Sequence, residues 1–170
     1  MKATKRSISI SKRKAEGNRD DSEQPQKRIL VVDDDPSVRE MLARVLASEG
    51  YLALTAVDGV KALEIAAGVS IDLVLLDLNL PQKSGWDTFE MLTAENPLLP
   101  VIIVTARSNQ LFTAMGAGVG ALLEKPLDFP ELLRTIRELL EEPAERRLAR
   151  MAGKPERFYY KASNPEKNPQ

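Results

Sequence analysis

Arg28-Ile29-Leu30-Val31-Val32-Asp33-Asp34-Asp35-Pro36 is the stretch on which the fold turns. Ile29 to Val32 is an unbroken, mostly β-branched apolar run, the pattern of a strand buried on both faces. Three aspartates follow at once, so a buried strand delivers carboxylates to its own end. Asp35 reads as a helix N-cap with Pro36 at the first helical position, because proline has no N–H to leave unsatisfied there. Val38, Met41, Leu42, Val45 and Leu46 then keep helical spacing until Gly50 stops the helix.

The same unit recurs down the chain. Strands are expected at Leu52–Ala56, Leu73–Leu76, Val101–Val104 and Ala121–Glu124. Helices are expected over Gly59–Ala67, from about Trp86 to Glu95, near Asn109–Met115, and from about Phe129 to Glu142, where Pro143 ends the run. Five strands alternating with five helices predict an α/β fold, a doubly wound parallel sheet with helices on both faces. In such sheets the ligand site lies beyond the carboxyl ends of the strands, where strand order reverses.

Polar residues stand at those ends. The first strand finishes at Asp33-Asp34, the third at Asp77, the fourth at Thr105 and the fifth at Lys125. Crowded carboxylates repel one another unless a cation neutralises them. The chain holds no histidine and no cysteine, which removes imidazole and thiolate ligands, disulfides, and Ser/His or Cys/His catalysis. Oxygen ligands alone favour Mg²⁺. A lysine and a hydroxyl beside it suit an oxyanion such as a phosphoryl group. Each residue also has a plainer reading: a strand-end Asp or Thr can simply cap the next helix, and Lys125 can be a solvated charge.

Taken together, Val31-Val32-Asp33-Asp34-Asp35, Leu76-Asp77-Leu78-Asn79-Leu80-Pro81 with Gly85 beyond it, Val104-Thr105-Ala106 and Lys125-Pro126 resemble the receiver domain of bacterial two-component response regulators. The resemblance covers roughly residues 28–142 and implies a flavodoxin-like or CheY-like sheet of strand order 2-1-3-4-5. It implies that Asp77 accepts a phosphoryl group from a histidine kinase or histidine phosphotransfer protein. Asp34 would bind Mg²⁺ directly, Asp33 mainly through water, and Asn79 through its backbone carbonyl. Asp77 completes that metal set, while Lys125 and Thr105 hold phosphoryl oxygens. A cis Lys125–Pro126 bond is also implied. Such a chain is a phosphoacceptor switch rather than a turnover enzyme. With no histidine of its own, it needs a donor in another molecule.

Two features depart from the family. Its signalling usually couples the threonine to an aromatic side chain on the fifth strand, where this chain has Leu122, preceded by Ala121. That puts the standard output route in doubt but not the phosphorylation chemistry. Residues 143–170 are also too short for a winged-helix or other helix-turn-helix output domain, so a single-domain regulator acting through a downstream protein target is expected.

Charge divides the chain. Residues 1–28 carry nine basic and four acidic side chains, and residues 143–170 seven and three, which leaves the middle strongly acidic. Residues 1–27 read as an unstructured basic tail. Residues 143–170 read as a basic extension, mostly unstructured apart from one short helix over Ala144–Ala152. Phe158, Tyr159 and Tyr160 among Lys154, Arg157 and Lys161 allow docking on the acidic domain or a partner, stacking on nucleic acid, or a solvated tail; nucleic acid is the least expected. With neither a secretory leader nor a run of about 18 apolar residues, the cytoplasm is the expected compartment.

Two other functions compete. Asp33-Asp34-Asp35 after an apolar strand also resembles the opening motif of haloacid-dehalogenase-type phosphatases, with Asp33 as nucleophile and Asp35 as acid. That reading leaves Asp77 and its Pro81/Gly85 loop unexplained. The other is a pseudo-receiver, a binding module without phosphorylation, whose support is Leu122.

Overall fold

The computed structural model describes residues 25–107, 109–154 and 157–163. Strand β1 (Arg28–Val32) leads into α1 (Pro36–Ser48), then β2 (Leu52–Ala56), α2 (Gly59–Gly68) and β3 (Leu73–Leu76). Next come α3 (Gly85–Glu95), β4 (Val101–Thr105), α4 (Leu111–Gly116), β5 (Ala121–Glu124) and α5 (Phe129–Leu140). Two further elements, α6 (Ala144–Met151) and β6 (Tyr159–Lys161), end the described chain.

The sheet is parallel throughout, in the order β2-β1-β3-β4-β5-β6. The expected five-strand order is therefore present with a sixth strand added at the β5 edge. The carboxyl-terminal extension accordingly differs from the expectation of little structure. Its short helix forms where helical spacing placed it, but residues 159–161 also pair with β5. Three residues are too few for periodicity to reveal, and the aromatic-rich run finds its strand partner only once β5 is in place. Residues 1–24 and 164–170 lie outside the described residues, and with them most of the expected amino-terminal tail.

Alternation along the buried strands builds two cores. Leu30, Val32, Val74, Leu76, Ile103 and Leu122 pack on one face with Ala62 of α2, Phe89 and Leu92 of α3, and Ala114 of α4. Ile29, Val31, Leu73, Leu75, Ile102, Val104, Ala121 and Leu123 pack on the other with α1 and α5. Fully burying one such leucine stabilises the fold by about 2 kcal/mol, so the strand ends rest on the least deformable part of the molecule. Among the described residues, no helix is long and apolar enough to cross a membrane.

Candidate functional site

Asp33 follows β1 directly and is buried at 2% exposure, while Asp77 follows β3 at 5%. Between these two strands the chain order reverses, so both carboxylates stand at the switch point of the sheet. Each is oriented by a backbone amide two residues on. Asp33 Oδ1 accepts from the Asp35 N–H at 2.9 Å, and Asp77 Oδ1 accepts from the Asn79 N–H at 2.9 Å.

Their second oxygens share one cation. Lys125 Nζ donates to Asp33 Oδ2 at 2.7 Å and to Asp77 Oδ2 at 2.8 Å. Burial pulls the lysine ammonium downward, but the hydrogen bonds and charges of Asp33 and Asp77 outweigh it and hold Lys125 above its ordinary value. Asp34 is exposed, yet one oxygen from each of Asp33, Asp34 and Asp77 lies within 4.8 Å of the others. Three convergent carboxylate oxygens are a fit donor set for a hard divalent cation.

The surrounding loops are held by contacts that sequence spacing does not announce. Arg39 Nη1 donates to the carbonyls of Asp33 and Asp34 at 2.7 and 2.9 Å, pinning the β1–α1 turn from inside α1. Arg107 Nε and Nη2 both donate to Asn79 Oδ1, at 3.0 and 2.7 Å, joining the loop after β4 to the loop after β3. Gly85 opens α3 against the back of the Asp77 loop. A Cβ there would meet the Asp77 carbonyl oxygen at 2.5 Å and the Leu78 backbone, so only glycine permits the approach.

The sequence-predicted residues therefore separate into groups. Asp33, Asp77 and Lys125 are in direct contact, and Asp34 faces the same space. Thr105 is fully buried at the end of β4. Its Oγ1 accepts from the Arg107 N–H at 3.1 Å, and a hydroxyl can donate as well as accept. Asn79 presents its side chain to Arg107 and its amide to Asp77. Asp35 caps α1, accepting from Ser37 and Val38, and Asp128 caps α5. The acid that a phosphatase of the haloacid-dehalogenase type would need is thus occupied as a helix cap. The Lys125–Pro126 bond is cis, as the resemblance implied. Trp86 packs edge-on against Phe89 with centroids 5.9 Å apart, and its Nε1 donates to Gln110 Oε1. It is a packing residue between α3 and the start of α4. Leu122 is fully buried in the core beneath α4.

A family model described as the response regulator receiver domain matches residues 29–137. Among curated proteins, the response regulator MprA of Mycobacterium sp. (strain KMS) is 40% identical over 115 residues, covering 66% of this chain and 50% of that protein. The DNA-binding response regulator MtrA of Mycolicibacterium smegmatis is 40% identical over 124 residues, covering 69% of this chain and 54% of its own. The chain thus spans about half the length of the curated relatives it matches.

Solved structures agree. The response regulator TrrA of Thermotoga maritima, crystallised in complex with Mg²⁺ and BeF, has a TM-score of 0.63 at 33% identity, covering 67% of this chain and 99% of that one. A CheY-like receiver domain protein from Methanospirillum hungatei has a TM-score of 0.66 at 29% identity, covering 69% and 95%.

Proposed function

The chain belongs to the response regulator receiver domain family, and on that premise we propose that Asp77 accepts a phosphoryl group in a Mg²⁺-dependent reaction and that the switched chain signals by binding another protein. The observation that carries this reading is the single ammonium of Lys125 bridging two buried carboxylates, Asp33 and Asp77, with Asp34 completing the acidic set. An ion pair this buried is costly to maintain for stability alone. Two buried carboxylates and an ammonium meeting at one point supply ligands for a cation and a partner for an anion.

The donor is a histidine kinase or a histidine phosphotransfer protein, the class with which receivers of this family interact; these 170 residues hold no histidine to serve instead. An oxygen of Asp77 attacks phosphorus, the P–N bond of the donor phosphohistidine breaks, and the electron pair stays with the departing imidazole. Lys125, already within reach of Asp77, turns to a phosphoryl oxygen, and the Thr105 hydroxyl donates to a second. Asp34, Asp33 and Asp77, with the Asn79 backbone carbonyl, are the groups that would hold Mg²⁺. Bound there, the ion would supply charge neutralisation for the carboxylate and phosphoryl oxygens. Hydrolysis of the acyl phosphate resets the switch, so the chain catalyses only its own phosphorylation and dephosphorylation. The cytoplasm, where such kinases present their phosphohistidine, is the fitting compartment.

Incubation with acetyl phosphate, with and without Mg²⁺, followed by intact mass, tests the reading. Wild type gains one phosphoryl group only with Mg²⁺, and Asp77→Asn gains none. A wild-type chain that stays unmodified under every condition leaves a pseudo-receiver binding module instead.

A further inference from the structure

Glu124, the last residue of β5, stands between the acidic site and the carboxyl-terminal segment. On the inner side it pairs in register with Thr105, and the amide of Lys125, its neighbour, donates to the Thr105 carbonyl at 2.9 Å. On the outer side its carboxylate takes three hydrogen bonds from the segment around β6. Oε1 accepts from the Tyr160 hydroxyl at 2.9 Å, and Oε2 accepts from the Ser163 N–H and Oγ at 3.0 and 3.1 Å. These donors hold the Glu124 carboxyl below its ordinary range, with the Ser163 amide foremost.

The two parts of the extension are held very differently. Helix α6 is anchored. Gly118 lets its Met151 backbone approach to 3.1 Å of where a Cβ would stand, Arg150 is buried and donates to Glu142 Oε2 at 2.7 Å, and Arg147 Nη2 donates to the Leu139 carbonyl at the end of α5. Strand β6 has three residues. Phe158 and Tyr159 pack on opposite faces of the sheet, but Tyr160 is 42% exposed. Ala121, Leu122 and Leu123 face Tyr159, Tyr160 and Lys161, so without β6 the outer backbone edge of β5 would be bare.

We propose that this edge of β5, with the Glu124 carboxylate at its end, is a strand-docking surface that the chain covers with its own residues 157–163, and that filling the acidic site loosens the cover. The inference rests on the phosphoacceptor reading for its trigger. Drawing Lys125 and Thr105 onto phosphoryl oxygens shifts the peptide pair to which Glu124 belongs, and moves its carboxylate off three donors that sit on a different strand. The partner it fits is an extended protein segment that adds in parallel to β5 and carries a run of three aromatics followed by a hydroxyl-bearing residue, as 158–163 does.

The test uses the full chain, a fluorescent peptide of residues 157–163, and amide hydrogen exchange. Loading with acetyl phosphate and Mg²⁺ is verified by mass. Loaded wild type is expected to bind the peptide roughly tenfold more tightly than unloaded wild type, with residues 159–163 exchanging faster by a similar factor, the scale of one or two lost hydrogen bonds. A loaded chain with unchanged affinity and exchange overturns the coupling. The double variant Tyr160→Ala/Ser163→Ala weakens the cover without touching β5, so it is expected to bind the wild-type peptide with no phosphoryl group present. Failure of that variant to bind overturns the docking surface. If no mass gain occurs, the phosphoacceptor reading and the coupling fall together, and the double variant still decides whether the edge docks a strand.

Discussion

Glu124 and Lys125 are neighbours in sequence and face opposite ways at the end of β5. Lys125 turns inward to Asp33 and Asp77, whose side chains are 3% and 6% exposed. Glu124 turns outward to Tyr160 and Ser163, in partly solvated surroundings. The two-residue period of a strand sends adjacent side chains to opposite faces. One strand end thus serves two sites of very different energetic weight. In the inner cluster both carboxylates are buried, so each needs its charge partner. The outer one is wet, so its hydrogen bonds exchange with water at little net cost.

Removing the inner cation should have the largest effect on stability. Lys125→Ala leaves two buried carboxylates facing each other and is expected to destabilise the metal-free chain by about 3 kcal/mol. Mg²⁺ should recover part of that loss, because a cation again lies among the carboxylates. Urea unfolding with and without Mg²⁺ measures both, and an unchanged midpoint would erase the contrast between the two sides.

Gly85→Ala tests the inner site from behind. Its methyl would press on the Asp77 carbonyl and Leu78 backbone, so a loss of about 2 kcal/mol is expected, together with slower Asp77 phosphorylation. Both follow from one displaced loop, and slow labelling with full stability would separate them.

On the outer side, Tyr160→Phe removes one exposed hydrogen bond and should cost only about 0.5 kcal/mol. Its signature is local: faster exchange at 159–163 with the global unfolding midpoint nearly unchanged. Acidification gives the mildest perturbation. The folded Glu124 value lies below the ordinary 4.5, so its contribution is complete above that pH and is lost as pH falls through the lowered folded value. Tyr160, whose hydroxyl faces Glu124, is raised by that hydrogen bond and stays protonated through neutrality. Protection of 159–163, corrected for intrinsic exchange, should therefore fall below pH 4.5, the ordinary glutamate value, and hold steady from there to neutrality.

Most of the sheet was legible because burial on both faces demands continuous apolar strands, and each such strand ends in a polar residue that must leave the core. The strand bounds at Leu52–Ala56, Leu73–Leu76 and Ala121–Glu124 are those expected, and the Asp35 cap and Gly50 stop stand where spacing put them. Residues 116–120 carry three glycines, Gly116, Gly118 and Gly120. Two of them have a packing reason, since Gly118 meets the α6 backbone and Gly120 packs against Leu139 and the Val101 carbonyl. Arg39 was hard to find in advance, because an arginine aimed at a loop carbonyl has the same sequence signature as one in solvent.

By itself the sequence determined the alternation of strands and helices, the parallel sheet, and the set Asp33, Asp34, Asp77, Thr105 and Lys125 at one rim. Those follow from local periodicity and from the rule that buried strands deliver their polar ends to one side. Only the tertiary structure decided that β6 closes the β5 edge, that Glu124 is gripped by Tyr160 and Ser163, and that Arg107 spans to Asn79. Such contacts join residues far apart in the chain through one or two polar atoms each. No period or spacing encodes them, and they exist only because the finished sheet brings the two segments within hydrogen-bond reach.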